Sequence, residues 1–183
     1  MKNGRLSIST FTGIALCVLT LTLFGVALGS YSEQPSGRIK VNGIVKIDGR
    51  AAADGDTVSS GSTVETAKGS SAVVSLGKLG RVEVHENTNM KLTLEPFTVT
   101  AMLSQGRVRV SSSSGVSAKV DTSDAEVLSV GSNEYVVDVT CGNTFVAVKR
   151  GTVELRAGST VKQIAAGNQD TAGVGRPGCK PGR

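Results

Sequence analysis

One histidine is the strongest candidate for acid–base chemistry in this sequence. His85 could act as a general base, but a hydrolase also needs a nucleophile and an orienting group beside it. The Gly-x-Ser-x-Gly motif of serine hydrolases does not occur in the 183 residues. A histidine at the end of a strand, facing water, is the simpler interpretation. We therefore predict that the protein is not an enzyme and has no catalytic residue.

Three aspartates, Asp48, Asp54 and Asp56, could in principle bind calcium. Their spacing lacks the ligand order of an EF-hand and the glycine pattern of calcium-binding β-helix repeats. Aspartates beside glycine are typical of turns, which is the interpretation that we favour. One histidine and three scattered cysteines are also too few for a zinc site. We predict no metal and no cofactor.

The three cysteines differ in their surroundings. Cys17 lies inside an apolar run and follows Leu16, whereas a lipidated cysteine normally follows Gly or Ala, so we interpret it as an apolar residue of a membrane segment. Cys141 and Cys179 would form a disulfide in an oxidising compartment. Two unpaired thiols remain the alternative, because the sequence does not give the distance between the Cα atoms.

An uncharged segment of 27 residues begins at Leu6, directly after the cations Lys2 and Arg5. Its apolar centre, residues 11–28, would be about 27 Å long as a helix, which is close to the thickness of the hydrocarbon core of a bilayer. The positive-inside rule leaves the N-terminus in the cytoplasm.

Two fates of this segment stay open. The segment 11–28 is either an uncleaved anchor in the inner membrane or a signal peptide that is cut between Gly29 and Ser30, after small residues. Both interpretations export residues 30–183. We therefore expect a protein of the bacterial cell envelope, which is either anchored by a single pass or released into the periplasm.

The rest of the chain is almost neutral. Between Arg38 and Ala172 there are 15 Lys or Arg residues and 14 Asp or Glu residues, so most of the formal net charge of +5 belongs to the ends. Nucleic-acid-binding domains need a clustered basic face, and 3% aromatic residues without Trp cannot supply a stacking platform. We predict no nucleic-acid partner.

Apolar residues recur at every second position, the period of a strand with one buried face. Met90, Leu92 and Leu94, for example, alternate with polar residues, and glycine-containing turns separate such runs. The pattern predicts about a dozen short strands. They are residues 38–48, 62–66, 72–76, 81–85, 90–94, 97–103, 107–111, 116–121, 125–130, 134–140, 144–148, 152–156 and 161–165.

The predicted fold class is all-β, a sandwich or a flattened β-roll with a core of Val, Leu, Ile and Ala, preceded by one N-terminal hydrophobic helix. The chain then divides into five segments. They are a short basic cytoplasmic tail (1–10), a transmembrane anchor or signal peptide (11–29), a linker (30–37), the β domain (38–172) and a basic tail rich in Gly and Pro (173–183).

Several short phrases follow one another in a distinctive order. They are DGDTV at 54–58, SGSTV at 60–64, GSSAVVSL at 69–76, RVEV at 81–84, LSQGRV at 103–108, VDT at 120–122, AEV at 125–127, GSNEYVV at 131–137, VAVKRGTV at 146–153 and AAGN at 165–168. Their order resembles the FecR periplasmic domain over about residues 52–171.

The resemblance implies a noncatalytic sensing domain. In that family an outer-membrane transporter contacts the domain, which signals across the inner membrane to an extracytoplasmic-function sigma factor. Two features depart from the family. Only about ten residues precede the apolar segment, so the usual cytoplasmic anti-sigma segment is expected to be lacking. The family's Gly-Thr-x-Phe is replaced here by GSNEY at 131–135.

The expected function is therefore that of an exported, non-enzymatic FecR-like protein that acts through protein–protein contact in the cell envelope, as a signal sensor or transducer. The contact would use an exposed strand edge or a sheet face. The alternative is a structural or polymer-binding envelope component without a signalling role. Neighbouring genes for a sigma factor and a receptor would distinguish the two.

Overall fold

The computed structural model describes residues 34–173 and Gly175, and nearly all of its regular structure is β-strand. The strands are β1 (Ser36–Asn42), β2 (Val45–Ile47), β3 (Arg50–Ala51), β4 (Thr57–Ser59), β5 (Thr63–Thr66), β6 (Ser71–Ser75), β7 (Gly80–Val84), β8 (Asn89–Glu95), β9 (Thr98–Ser112), β10 (Ser117–Asp121), β11 (Glu126–Val130), β12 (Asn133–Thr140), β13 (Asn143–Arg150), β14 (Thr152–Ala157), β15 (Thr160–Ala165) and β16 (Gln169–Ala172). One turn of 3-10 helix, Gly77–Leu79, joins β6 to β7.

The predicted N-terminal helix, residues 11–29, lies outside the described residues. So do the predicted cleavage site between Gly29 and Ser30 and the predicted disulfide partner Cys179. Within residues 34–173, no helix is both long enough and apolar enough to cross a bilayer.

The strands differ from the predicted ones in three ways. The predicted strand 38–48 is divided into β1 and β2, because Gly43 takes a φ of +85° in the turn between them. The predicted strands 97–103 and 107–111 form one continuous strand, β9. Three short strands, β3, β4 and β16, were not predicted, since two to four residues are too few to show an alternating pattern.

All sixteen strands hydrogen bond into one open sheet, in which β9 connects two halves. The first half-sheet has the order β4-β1-β6-β7-β9-β12-β13-β16 and uses the C-terminal part of β9. The second half-sheet has the order β3-β2-β5-β8-β9-β10-β11-β14-β15 and uses the N-terminal part of β9. Neighbours are antiparallel, except that β9 and β10 are parallel.

Gly106 marks the position at which β9 passes from one half-sheet to the other. Gln105 is the last residue of β9 to pair with β8, and Gly106 is the first to pair with β12. Gly106 has a φ of +91°, which side-chain-bearing residues rarely adopt. A Cβ atom there would lie 2.7 Å from the carbonyl oxygen of Asn87. Both facts explain why the bend contains glycine.

One hydrophobic core receives side chains from both half-sheets. It consists mainly of Val, Leu, Ile and Ala, which confirms the predicted composition, and its largest fully buried side chain is Tyr135 of β12. The Tyr135 hydroxyl lies 3.4 Å from Ser129 Oγ on β11 and 3.5 Å from the carbonyl oxygen of Ala118 on β10. These contacts join the inner faces of the two halves, so the all-β prediction is confirmed in the form of one sheet that encloses its own core.

An ion pair joins the two halves near their C-terminal edge strands. Lys162 on β15 and Asp170 on β16 face each other with Nζ 2.9 Å from a carboxylate oxygen. The neighbouring Thr171 N–H donates to the same carboxyl group at 2.7 Å. Lys162 and this N–H together lower the pKa of Asp170. The pair lies where β15 and β16 have no further described strand beside them.

Candidate functional site

His85 directly follows β7 on the outer face of the first half-sheet. Its backbone N–H donates to the Arg107 carbonyl oxygen at 2.9 Å, and its side-chain Nε2 is enclosed without a hydrogen-bond partner. Burial lowers the pKa of His85, and the nearby guanidinium groups of Arg107 and Arg109 lower it further. Both effects favour the neutral imidazole, but Nε2 donates to or accepts from no nucleophile in the described residues.

A groove of about 480 Å³ opens beside His85, at the C-terminal ends of β7 and β12 and at the Gly106 bend of β9. Two residues that the sequence singled out, His85 and Cys141, both line it, together with the Arg107–Asp138 ion pair. Arg107 donates to one Asp138 oxygen from Nε at 2.8 Å and from Nη2 at 2.6 Å, so both charges are already engaged. The described residues contain no group of three or more His, Cys, Asp or Glu side chains arranged to hold a metal ion.

Cys141 lies in the tight turn between β12 and β13 with a φ of +60°. Its position beside the groove places it at the rim of the first half-sheet. The pairing with Cys179 stays a prediction, because Cys179 is not among the described residues.

The three aspartates that were weighed as calcium ligands each accept a backbone N–H instead. Asp48 accepts from Thr63 at 2.8 Å. Asp54 accepts from Val41 at 2.6 Å and Asp56 from Ala53 at 2.8 Å. Asp48 thereby stabilises the turn after β2, and Asp54 and Asp56 stabilise the loop between β3 and β4.

The strand at one end of the second half-sheet, β15, has an open edge. It pairs with β14 on one side, and no described strand pairs with its other side. Five of its six residues are exposed, and Val161 is an exposed large apolar side chain. Unpaired edge N–H and C=O groups are able to add a strand from a partner. This edge is therefore a candidate interaction site.

The outer face of the first half-sheet carries an unexpected excess of positive charge. Its outward positions hold seven cations and three carboxylates, a net charge of plus four among the described residues. The cations are Arg38, Lys40, Arg81, Arg107, Arg109, Lys149 and Arg150, and the carboxylates are Glu83, Glu134 and Asp138.

We call the outer face of the first half-sheet the basic face. On it, pairs of cations lie beside the same carboxylate. Glu83 lies 3.1 Å from Arg81 and 3.6 Å from Arg109. Glu134 lies 3.3 Å from Lys149 and 3.9 Å from Arg150. Two cations on one carboxylate leave one positive charge uncompensated at each of these places.

The outer face of the second half-sheet is balanced. Lys119 lies 2.9 Å from Asp121 and 3.1 Å from Glu126, and hydrogen bonds to these two carboxylates raise the pKa of Lys119. Arg156 bridges Glu126 and Glu154. The outward positions of the second half-sheet hold four cations and five carboxylates among the described residues. The near-neutral segment 38–172 therefore has two outer faces of different charge.

Comparison with known proteins identifies a related fold but no family. No family model matches the sequence, and no curated protein matches it. Two crystal structures of a protein from Parabacteroides distasonis ATCC 8503 that is assigned as an anti-sigma factor, at 2.50 Å and 1.65 Å resolution, share the fold with a TM-score of 0.54 each. They are 19% and 18% identical to this chain and match 64% of it. The match spans only 56% and 57% of those two chains.

Proposed function

We propose that the protein is an exported, non-enzymatic FecR-like domain that binds a protein partner through the open edge of β15 in a signalling system of the cell envelope. The single observation that carries the proposal is this unpaired, exposed edge strand. The shared fold with a protein assigned as an anti-sigma factor supports the signalling role. Of the two predicted all-β forms, we propose the flattened β-roll, because one sheet surrounds a single core.

Strand addition would work through the backbone. A segment of the partner would hydrogen bond to the free N–H and C=O groups of β15, while exposed side chains such as Val161 would select among partners. This mode requires no catalytic group. It agrees with the arrangement around His85, where Nε2 contacts no nucleophile.

Site-specific photo-crosslinking tests the edge directly. A photoreactive residue at Val161 should crosslink the full-length chain to one envelope protein in the native cell. The same residue at Ile44 is the matched control, because Ile44 is also a large, exposed apolar residue (68% against 57% for Val161) but lies in the turn between β1 and β2. Crosslinking that is absent at both positions, or equal at both, would contradict binding through this edge.

Export is tested separately on the protein isolated from its native host. N-terminal sequencing should show either a mature chain that begins at Ser30 or the intact N-terminus of an anchored protein, in each case in the envelope fraction. Thiol titration of the denatured chain should show that Cys141 and Cys179 react only after reduction. Recovery of the chain in the cytoplasm with all of its thiols reactive would contradict export.

A further inference from the structure

We infer that the basic face of the first half-sheet is a docking surface for an acidic polypeptide segment. This inference rests on the proposed function in that it describes the chemistry of a protein partner, but it concerns a different surface from the β15 edge. The supporting observation is that exposed cations lie above less exposed carboxylates on this face.

On the basic face, the side chains of the cations are more exposed to solvent than those of the carboxylates. The side chains of Glu83, Asp138 and Glu134 are only 24%, 13% and 14% exposed, whereas those of Lys149 and Arg150 are 69% and 61% exposed. The carboxylates lie beneath the cations in the packed layer of outward side chains. A partner that approaches the face therefore meets positive charge first.

The shared carboxylates leave hydrogen-bonding capacity in the guanidinium groups. Glu83 is divided between Arg81 and Arg109, and each guanidinium group has five N–H donors, more than a shared carboxylate can accept.

A carboxylate-rich polypeptide fits this arrangement best. Carboxylates match the planar, two-pronged donor geometry of arginine. Half-buried apolar side chains, Val73 and Val136, lie in one cross-strand row with Glu83 and Arg109, so the face also offers contacts to apolar side chains of a peptide. Nucleic acid or an anionic lipid surface would use the charge but not this row.

The test compares binding of the purified full-length chain to a fluorescent poly-L-glutamate peptide with binding of two charge-reversed variants. The first carries Arg81→Glu, Arg109→Glu and Arg150→Glu on the basic face. The second, with the same change in net charge, carries Lys46→Glu, Lys91→Glu and Arg156→Glu on the outer face of the second half-sheet. We expect binding to be at least about tenfold weaker in the first variant and changed by less than about threefold in the second.

A milder variant guards against misfolding. The double variant Arg38→Glu with Lys40→Glu replaces two positive charges of β1 by negative ones. Neither side chain forms an ion pair with a described carboxylate. This variant should also bind poly-L-glutamate more weakly, and its circular-dichroism spectrum should stay unchanged. Equal weakening by the two triple variants would overturn the inference. So would tighter binding to double-stranded DNA, or to phosphatidylglycerol over phosphatidylcholine vesicles, than to poly-L-glutamate.

The two proposals fail in different ways. Poly-L-glutamate binding does not depend on β15, so a failed crosslink at Val161 would contradict the edge and leave the result on the basic face standing. A protein captured at Val161, together with poly-L-glutamate binding that is unaffected by the charge reversals on the basic face, would contradict this inference alone.

Discussion

The enclosed imidazole of His85 links the stability of the domain to pH. Burial and the charges of Arg107 and Arg109 lower its pKa from the ordinary value of 6.5, although Glu83 and Asp138 act in the opposite direction. The unfolded chain therefore takes up this proton at a higher pH than the folded protein does. The contribution of His85 to stability is complete above the unfolded pKa and decreases as the pH falls towards the folded pKa.

We expect His85→Gln to remove this dependence. The free energy of unfolding of the wild-type domain should fall more steeply than that of the variant between neutral pH and about pH 5. Urea denaturation at a series of pH values measures both slopes. Parallel curves for the two proteins would show that His85 titrates alike in the folded and unfolded states.

The hydroxyl of Tyr135 is a second residue whose effect can be measured alone. Burial raises its pKa to about 12, so the hydroxyl stays protonated and shares its contacts with Ser129 Oγ and the Ala118 carbonyl. Tyr135→Phe should lower the free energy of unfolding by about 0.5–1.5 kcal/mol. Tyr135→Ala should lower it by about 3–5 kcal/mol, because it also leaves a cavity. An equal loss in both variants would mean that the ring contributes nothing to the packing.

At the scale of the single strand, the course of β9 depends on Gly106. Gly106→Ala would place a methyl group against the backbone at Thr88 and Asn87 in addition to the strain of a positive φ. Gly61 provides a matched control, since it has the same φ of +91° with no atom within 4 Å of the added Cβ. We expect Gly61→Ala to cost about 1–2 kcal/mol of stability. Gly106→Ala should cost about 1–3 kcal/mol more.

Thermal and urea denaturation of both alanine variants provide the measurement. Equal losses at the two positions would mean that the chain around Thr88 moves aside at no cost. In that case the bend of β9 would need only the backbone freedom of glycine.

The alternation of apolar residues predicted most strands because it depends on burial of one face. The runs at 90–94 and 134–140, for example, correspond to β8 and β12. The merging of two predicted strands into β9 could not be predicted, since Gly106 is equally compatible with a hairpin turn and a bend within a strand. Only pairing with β8 on one side and β12 on the other distinguishes the two.

The basic face could not be predicted from the sequence for a related reason. Alternation shows that Arg107 and Arg109 point outward, but not which other strands lie beside them. Glu83 reaches Arg109 only because β7 pairs with β9, and the two residues are far apart in the sequence. The near-neutral charge of residues 38–172 therefore indicated no basic surface. The groove beside His85 was hidden in the same way, because it depends on the approach of Cys141 from a later hairpin.

At the scale of the whole molecule, one core predicts one unfolding transition. Leu92 on the second half-sheet and Val82 on the first belong to the same cluster of buried side chains. Leu92→Ala should lower the free energy of unfolding by about 2–5 kcal/mol. It should move the unfolding of both half-sheets to the same lower denaturant concentration. Far-UV circular dichroism and tyrosine fluorescence should then give superimposable denaturation curves. Separate transitions in the variant would show that the halves unfold independently.

The passage of β9 through both half-sheets also has a mechanical consequence. The strands of both halves are hydrogen bonded, directly or through neighbouring strands, to the one continuous backbone of β9. A pull along β9 would therefore load strands of both half-sheets at once. A sheet tied together in this way should rupture in a single event.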